Sequence, residues 1–349
     1  VGAGHNGLVC AAYLAKAGQK VLVLESAAEP GGLAATREFH PGFKASVAHS
    51  LTHFSSKVVQ DLQLQSHGLE TGGRAMNTIG LGLDGEHVVI GDEVVNGVSA
   101  EDAQAYKLLR AQLKRFAKAL APFWTKTMPR IGNNTPGELF TFAQLGLKLR
   151  LLGKEDLQEF MRMATLPMRD LMDENFEDSL LKAALSWDGL AGSRLAPRSP
   201  NSPVFALLYK MFEASGGMHA LPAGGISSLI DALVGAAKGA GAELRINTPV
   251  ENIVIEGDES GLRATGVTLD GGETITAWRV ISGADPKRTF LKLVGGANLE
   301  IEFANRINRL RTEGMVAKLH LALGGEPRFT GLERADNRMI IAPTMDSIE

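Results

Sequence analysis

Six residues at the start of the chain, Gly2-Ala3-Gly4-His5-Asn6-Gly7, constrain its fold more than anything else in the sequence. In a G-x-G-x-x-G run that opens a helix, the first glycine allows a tight turn and the second lets backbone lie against a pyrophosphate. The third lets the helix pack closely on a strand. The helix N-terminus adds free N–H groups and about half a positive charge. Leu8, Val9, Ala11, Ala12, Leu14 and Ala15 recur at helical spacing up to Gly18. Val21-Leu-Val-Leu24 is a continuous apolar run, as expected of a parallel strand buried on both faces. Glu25 ends that run 18 residues after Gly7, in place to accept hydrogen bonds from an adenosine ribose. The acid suits NAD or FAD equally. A second glycine pair, Gly31-Gly32, is either more backbone for the same pyrophosphate or an ordinary turn before Thr36.

The rest of the chain alternates around a helical middle. From about residue 100 to 190 the pattern is amphipathic, with Leu108, Leu109, Leu113, Phe116 and Leu120 repeating at helical spacing. Pro122, Pro129, Pro136 and Pro167 punctuate it, and a Gly/Ser/Pro-rich loop follows between Gly189 and Pro203. A helix is expected from Ile226 to Lys238, then strands at 243–246 and 250–256. A hairpin is expected around Asp270-Gly-Gly272, and further strands at 279–282 and 338–343. Only Val1 precedes the fingerprint, and the last strand runs almost to the end, so the chain is expected to be a fragment of a longer polypeptide.

Composition excludes several functions. With 44% hydrophobic residues among 349, a sizeable core is available, and a net charge of −3 leaves no basic excess to hold nucleic acid. No apolar run reaches the ~18–20 residues of a transmembrane helix. The 40 glycines exceed the ordinary ~7% share and point to many sharp turns and close backbone approaches. Cys10 is the one cysteine in this sequence, so an intrachain disulfide, a Cys-rich zinc site and a C-x-x-C pair are excluded within it. It reads as a small hydrophobe of the first helix. His49 and His53 share a helical spacing but lack a third metal ligand in any recognised pattern, so no metal is expected. Met161, Met163, Met168 and Met172 read as packing of the helical middle, with a flexible apolar pocket for a bulky substrate as the alternative. Arg306, Arg309 and Arg311 read as a solvated face.

The N-terminal run through Gly18, Val21–Glu25 and Pro30-Gly-Gly32 resembles the phytoene-desaturase-like FAD-dependent oxidoreductases. Glu38-Phe-His-Pro-Gly-Phe43 and Asp61–Gly68 sharpen the resemblance toward the pyridine nucleotide-disulfide oxidoreductase domain-containing branch. Leu221-Pro-Ala-Gly-Gly225, Gly241-Ala-Glu243, Val250–Ile253 and Ser282-Gly-Ala-Asp-Pro286 extend it over nearly the whole chain. It implies an α/β fold, a discontinuous Rossmann-like FAD-binding domain of the glutathione-reductase type with an inserted, largely helical substrate domain. The expected division is 1–75 and 222–295 for the FAD-binding domain, 76–221 for the insert and 296–349 for its return. The resemblance assigns the pyrophosphate to Gly2, Ala3, Gly4, Asn6 and Gly7, and the adenosine ribose to Glu25. It assigns the pyrophosphate and ribityl chain to Gly31 and Gly32, and the adenine end to Val250 and Ala284. It brings residues 44–53 near the reactive end of the flavin, so that His49 or His53 would face substrate. It assigns no catalytic residue.

The activity implied is hydride transfer from a C–H or C–N bond of a hydrophobic or amine substrate to FAD, with oxygen or a quinone as acceptor. The rivals are a flavin amine oxidase, a non-catalytic prenyl or lipid binder of the Rab GDP-dissociation-inhibitor type, and a plain NAD dehydrogenase. The compartment implied is the cytoplasm for a bacterial chain and the mitochondrial matrix for a eukaryotic one, with peripheral membrane contact allowed.

Overall fold

The computed structural model describes residues 1–48, 54–70, 74–124, 126–127, 129, 132, 135–200, 204–212, 217–258, 261–312, 314 and 316–349. Helix α1 (His5–Lys16) leads to strand β1 (Leu22–Leu24), then to strands β2 (Arg37–His40) and β3 (Phe43–Ala45) and helix α2 (Ser56–Asp61). Strands β4 (Arg74–Met76), β5 (Thr78–Leu81), β6 (His87–Ile90) and β7 (Val95–Asn96) come next. Helices α3 (Ala100–Trp124), α4 (Pro136–Arg150), α5 (Lys154–Met163), α6 (Met168–Asn175), α7 (Ser179–Leu190) and α8 (Val204–Met211) form the helical middle. After β8 (His219–Leu221) come α9 (Ile226–Gly239), β9 (Glu243–Arg245), β10 (Val250–Asp258), β11 (Gly261–Leu269) and β12 (Thr274–Thr276). Helix α10 (Ile301–Asn308) and β13 (Arg338–Ile340) complete the order.

A parallel layer carries the N-terminal motif. β1 pairs with β9, Leu22 to Glu243 and Leu24 to Arg245. The strand expected at 279–282 does not form; the segment is irregular and is held to the N-terminus by isolated backbone hydrogen bonds only. The Val1 nitrogen donates to Ile281 O at 2.7 Å, the Gly283 amide donates to Val1 O at 2.8 Å, and the Gly2 amide donates to Leu24 O at 2.8 Å. Val1–Gly2 thus lies between residues 281–283 and β1. One face of this layer is covered by α1 and α9. Ala11, Ala12 and Ala15 keep α1 thin on that face, so Leu229, Ile230 and Leu233 of α9 pack close against it. The β10-β11-β12 sheet is antiparallel and extends the expected hairpin by one strand. Its core joins Leu24 and Leu293 to Val250, Ile253, Val267 and Leu269.

The helical middle has a separate core. On α3, Leu109, Leu113, Phe116 and Leu120 are buried at helical spacing, whereas Leu108 falls on the opposite face and is 62% exposed. Proline places the helix boundaries. Pro122 lies in the last turn of α3, Pro136 at the start of α4, and Pro167 caps α6. These helices pack on a mixed sheet in the order β13-β5-β6-β7, in which β13 runs parallel to β5 with Arg338 opposite Thr78. The expected run of 338–343 is therefore a strand only over its first three residues.

A half-buried charge cluster pins this sheet to the helices. The Asp188 carboxylate of α7 lies 2.8 Å from the Arg338 guanidinium and 3.6 Å from His219 Nε2. Lys210 Nζ donates to the Asp188 carbonyl, and Arg338 donates to Thr78 Oγ1 at 3.1 Å. Burial alone would raise the Asp188 pKa, but His219, Arg338 and Lys210 outweigh it and hold it at about 2. The folded pKa is below the ordinary 3.8, so this stabilisation is complete above 3.8 and fades as pH falls toward 2. Asp188→Asn is expected to destabilise the protein by about 1–3 kcal/mol at neutral pH, because it leaves the half-buried Arg338 without its counter-charge. It is also expected to flatten the loss of stability between pH 3.8 and about 2. Urea unfolding of both proteins across that interval checks both expectations.

Candidate functional site

The N-terminal motif forms a cradle at the carboxyl ends of the parallel strands. Gly2 turns the chain out of the sheet with a φ of 90°, a conformation that favours glycine. Gly7 is a steric requirement, since a Cβ there would sit 2.3 Å from the Gly2 carbonyl oxygen. Gly4 caps α1 with extended backbone (φ −67°, ψ 167°), and a Cβ added to it would meet nothing within 4 Å. The α1 N-terminus has no side-chain cap and no acid in its first turn. The amides of His5, Asn6 and Gly7 have no carbonyl within their own helix to bond. The result is a positive helix end beside open space, ready for an anion.

Gly31 and Gly32 close the cradle from the other side. The Gly31 amide donates to Ala3 O at 2.8 Å, and Gly31 forms a parallel bridge with Gly4. Gly31 has a φ of 121°, and a Cβ there would lie 2.9 Å from Ala35 Cα. A Cβ on Gly32 would lie 3.4 Å from Gly4 Cα. The second glycine pair is therefore not merely a turn before Thr36, because its backbone is laid directly on the first.

Glu25 is only 8% exposed. Its Oε2 accepts from the Ala3 amide at 2.7 Å, and its Oε1 accepts from the Ala27 amide at 2.9 Å and from Ser26 Oγ at 3.3 Å. A carboxylate has about four acceptor positions, so capacity remains beyond these bonds. The carboxylate already works within the protein, tying the fingerprint turn to the end of β1. The neighbouring loop is fixed as well. The Thr248 amide donates to Glu25 O at 2.8 Å and the Asn247 amide to Ala27 O at 3.0 Å. Asn247 has a φ of 51°, which asparagine tolerates better than most residues.

The other sequence candidates fall into place around this centre. Val250 opens β10 two residues beyond Thr248 and is buried against the Leu24 cluster. Ala284 follows Gly283 in an irregular segment, half-buried, with its amide 3.3 Å from Ser282 Oγ. Asn6 is exposed on the first turn of α1. Gly2, Ala3, Gly4, Asn6, Gly7, Glu25, Gly31 and Gly32 thus cluster at the end of β1 and the start of α1, whereas Val250 starts the separate β10-β11-β12 sheet and Ala284 lies in the irregular segment hydrogen-bonded to Val1. His49 and His53 lie outside the described residues. Met163, Met168 and Met172 are core residues of the helical middle, while Met161 is exposed on α5. Cys10 is half-buried on α1. Arg306 stacks over the Phe303 ring at 5.7 Å, and it and Arg309 are exposed on the α10 side. Among the described residues no group of three or more His, Cys, Asp or Glu is arranged to hold a metal ion.

Lys318 was not visible as a candidate in the sequence. Its ammonium donates to Ser46 O at 3.3 Å and to Val47 O, and burial lowers its pKa. The next residue, Ala48, donates its amide to Leu33 O at 2.9 Å, linking this strip to the Gly31–Gly32 turn. Lys318 is itself exposed, and its ammonium caps the carbonyls of the strip that precedes Ala48. The one sequence signal is a cation inside the apolar run Val316-Ala-Lys-Leu-His-Leu-Ala-Leu323.

Comparison with known proteins identifies the family and the fold. Residues 7–327 match the family described as flavin containing amine oxidoreductase. The chain is 30% identical to "Pyridine nucleotide-disulfide oxidoreductase domain-containing protein 2" of Mus musculus, over 96% of this chain and 61% of that protein. It is 27% identical to a limonene dehydrogenase polypeptide of Castellaniella defragrans, over 94% of this chain and 60% of that one. The chain thus spans about three fifths of the length of these relatives. Among solved structures, an oxidoreductase from Methanosarcina mazei superposes with a TM-score of 0.57 at 20% identity, covering 88% of this chain and 63% of that one. A putrescine oxidase variant superposes with a TM-score of 0.53 at 18% identity, covering 88% of this chain and 61% of that one. The fold is the α/β flavin-binding fold with a helical insert, and the chain belongs to the flavin containing amine oxidoreductase family.

Proposed function

We propose that this chain holds FAD in the cradle and acts as an FAD-dependent oxidoreductase. One observation carries the reading. The open side of Gly4, the Gly31–Gly32 backbone across from it and the buried Glu25 carboxylate converge at the strand ends. Gly2, Ala3, Gly4, Asn6 and Gly7 would surround the pyrophosphate, with the α1 dipole offsetting its charge. Glu25 would accept from the adenosine ribose with its remaining acceptor position. Gly31 and Gly32 would line the pyrophosphate and ribityl chain, and Val250 and Ala284 would lie at the adenine end. Residues 1–75 and 222–295 would make up the cofactor domain, 76–221 the insert and 296–349 its return.

FAD, when bound, would supply a hydride acceptor for a substrate C–H bond, in an amine the one beside the nitrogen, with oxygen or a quinone as the final electron acceptor. The protein's part is to bind, orient and exclude water, which is why a flavin enzyme needs no conspicuous acid–base pair. The substrate class is a hydrophobic or amine small molecule. Relatives bearing the names limonene dehydrogenase and putrescine oxidase span both kinds. An amine oxidase is the second reading, favoured by the family's description. A non-catalytic lipid binder has no use for a cradle this closely fitted at Gly7 and Gly31. An NAD dehydrogenase has no need of the Gly31–Gly32 crossing. The compartment follows the host, cytoplasm in a bacterium or mitochondrial matrix in a eukaryote.

Gly7→Val should lower the FAD content of the purified protein at least ~10-fold, because the new side chain must displace the Gly2 carbonyl. The visible flavin absorbance per protein reads this directly. Glu25→Gln presents an amide group to backbone donors that now meet a carboxylate. Loss of charge-assisted bonds predicts roughly 10–100-fold weaker FAD binding to the deflavinated protein. Anaerobic titration of the flavoprotein then tests the activity. Bleaching by an amine but not by unsaturated hydrocarbons selects the amine oxidase, and the reverse selects the dehydrogenase or desaturase. Flavin that no compound of either class reduces would contradict both.

A further inference from the structure

Helix α4 has the polarity of a surface helix turned outward. Leu145 and Leu149, with Leu152 just beyond the helix, pack on the core of the helical middle. The opposite side carries Leu139, Ala143, Leu147 and Leu151 at four-residue steps, with Phe140 beside them. Leu139 is 51% exposed, Phe140 63%, Leu147 58% and Leu151 70%. A helix on a soluble surface places polar residues on that side, and a contiguous apolar stripe marks a surface that meets something else. The C-terminal end of the stripe is basic. Lys148, Arg150 and Lys154 are all exposed there, in a chain whose net charge is −3.

We propose that α4 lies flat on an anionic lipid surface, with its outer stripe among the upper acyl chains and Lys148, Arg150 and Lys154 against the headgroup phosphates. Its 15 residues rise about 22 Å and fall short of the ~20 residues needed to span a bilayer. Among the described residues no helix is long and apolar enough to cross a membrane. The basic end of the stripe complements anionic lipid headgroups, and this charge complementarity selects a bilayer over a second copy of the chain. The inference is independent of the cofactor reading, since α4 belongs to the helical middle and not to the cradle.

Sedimentation with vesicles of phosphatidylcholine containing phosphatidylglycerol tests it on the full-length protein. Wild type is expected to co-sediment. Leu147→Ser with Leu151→Ser should weaken partitioning at least ~10-fold, and so should Lys148→Glu with Arg150→Glu. The charge variant should differ little from wild type on phosphatidylcholine alone. Both pairs face outward, so their thermal unfolding should match wild type, and Leu139→Ser with Phe140→Ser provides a second apolar variant. Wild type that stays in the supernatant overturns the proposal, as do variants that sediment like it. A wild-type dimer that the serine pair converts to monomer, with no vesicle binding, overturns it in favour of a contact between copies.

Discussion

The hydrogen bond from the Ala3 amide to the buried Glu25 carboxylate, 2.7 Å long, is the contact on which the N-terminal half depends. It joins the turn after Gly2 to the end of the adjacent strand. It brings a full negative charge near a helix start that is otherwise positive. Gly7 can then pack its backbone on the Gly2 carbonyl, and Gly31 can hydrogen-bond the Ala3 carbonyl. Lengthening any one of these contacts would separate the two glycine segments and open the space between them. The same carboxylate is the group proposed to orient a ribose. Structural and binding roles therefore share one side chain, so a substitution at Glu25 must be judged by a binding measurement together with a stability measurement.

The polar centre of the helical middle follows a different logic. Asp188 gathers Arg338, His219 and Lys210 from three other elements, so it fixes how the last strand returns to the sheet. Burial makes such a cluster expensive unless every charge is answered. The low Asp188 pKa shows that here the partners outweigh the burial. On the outside of the same unit, α4 exposes the apolar surface that a self-sufficient domain would turn inward.

Much of the cofactor side was legible because it is local. The fingerprint, α1, β1 and α9 each announce themselves within a dozen residues, through glycine placement and through periods of 3.6 or 2. The Glu25 position was legible from spacing alone. Its bonds to Ala3 and Ala27 were not, because a sequence does not say which amides a carboxylate will find. In the sheet of β5, β6, β7 and β13 only β13 is announced by the sequence, as the apolar run at 338–343, and its partners are not. The strands of this sheet span two to four residues, and β13 pairs with a strand 260 positions away. Such short runs carry too little periodicity to read. Lys318 and Asp188 are not legible because a single charge in an apolar segment reads as solvent-facing, and their partners Ser46 and Arg338 lie far away in sequence. Leu108 was misplaced for the opposite reason, since it adjoins Leu109 in sequence but faces away from the core.

The central claim is that these glycines and Glu25 form a flavin cradle rather than a bare turn. The most direct test is to purify the full-length protein, denature it and identify what is released. The account predicts a yellow protein with a flavin absorbance spectrum, whose supernatant contains FAD in near-equimolar amount. A colourless protein that releases no FAD, and takes up none when FAD is supplied, would contradict it.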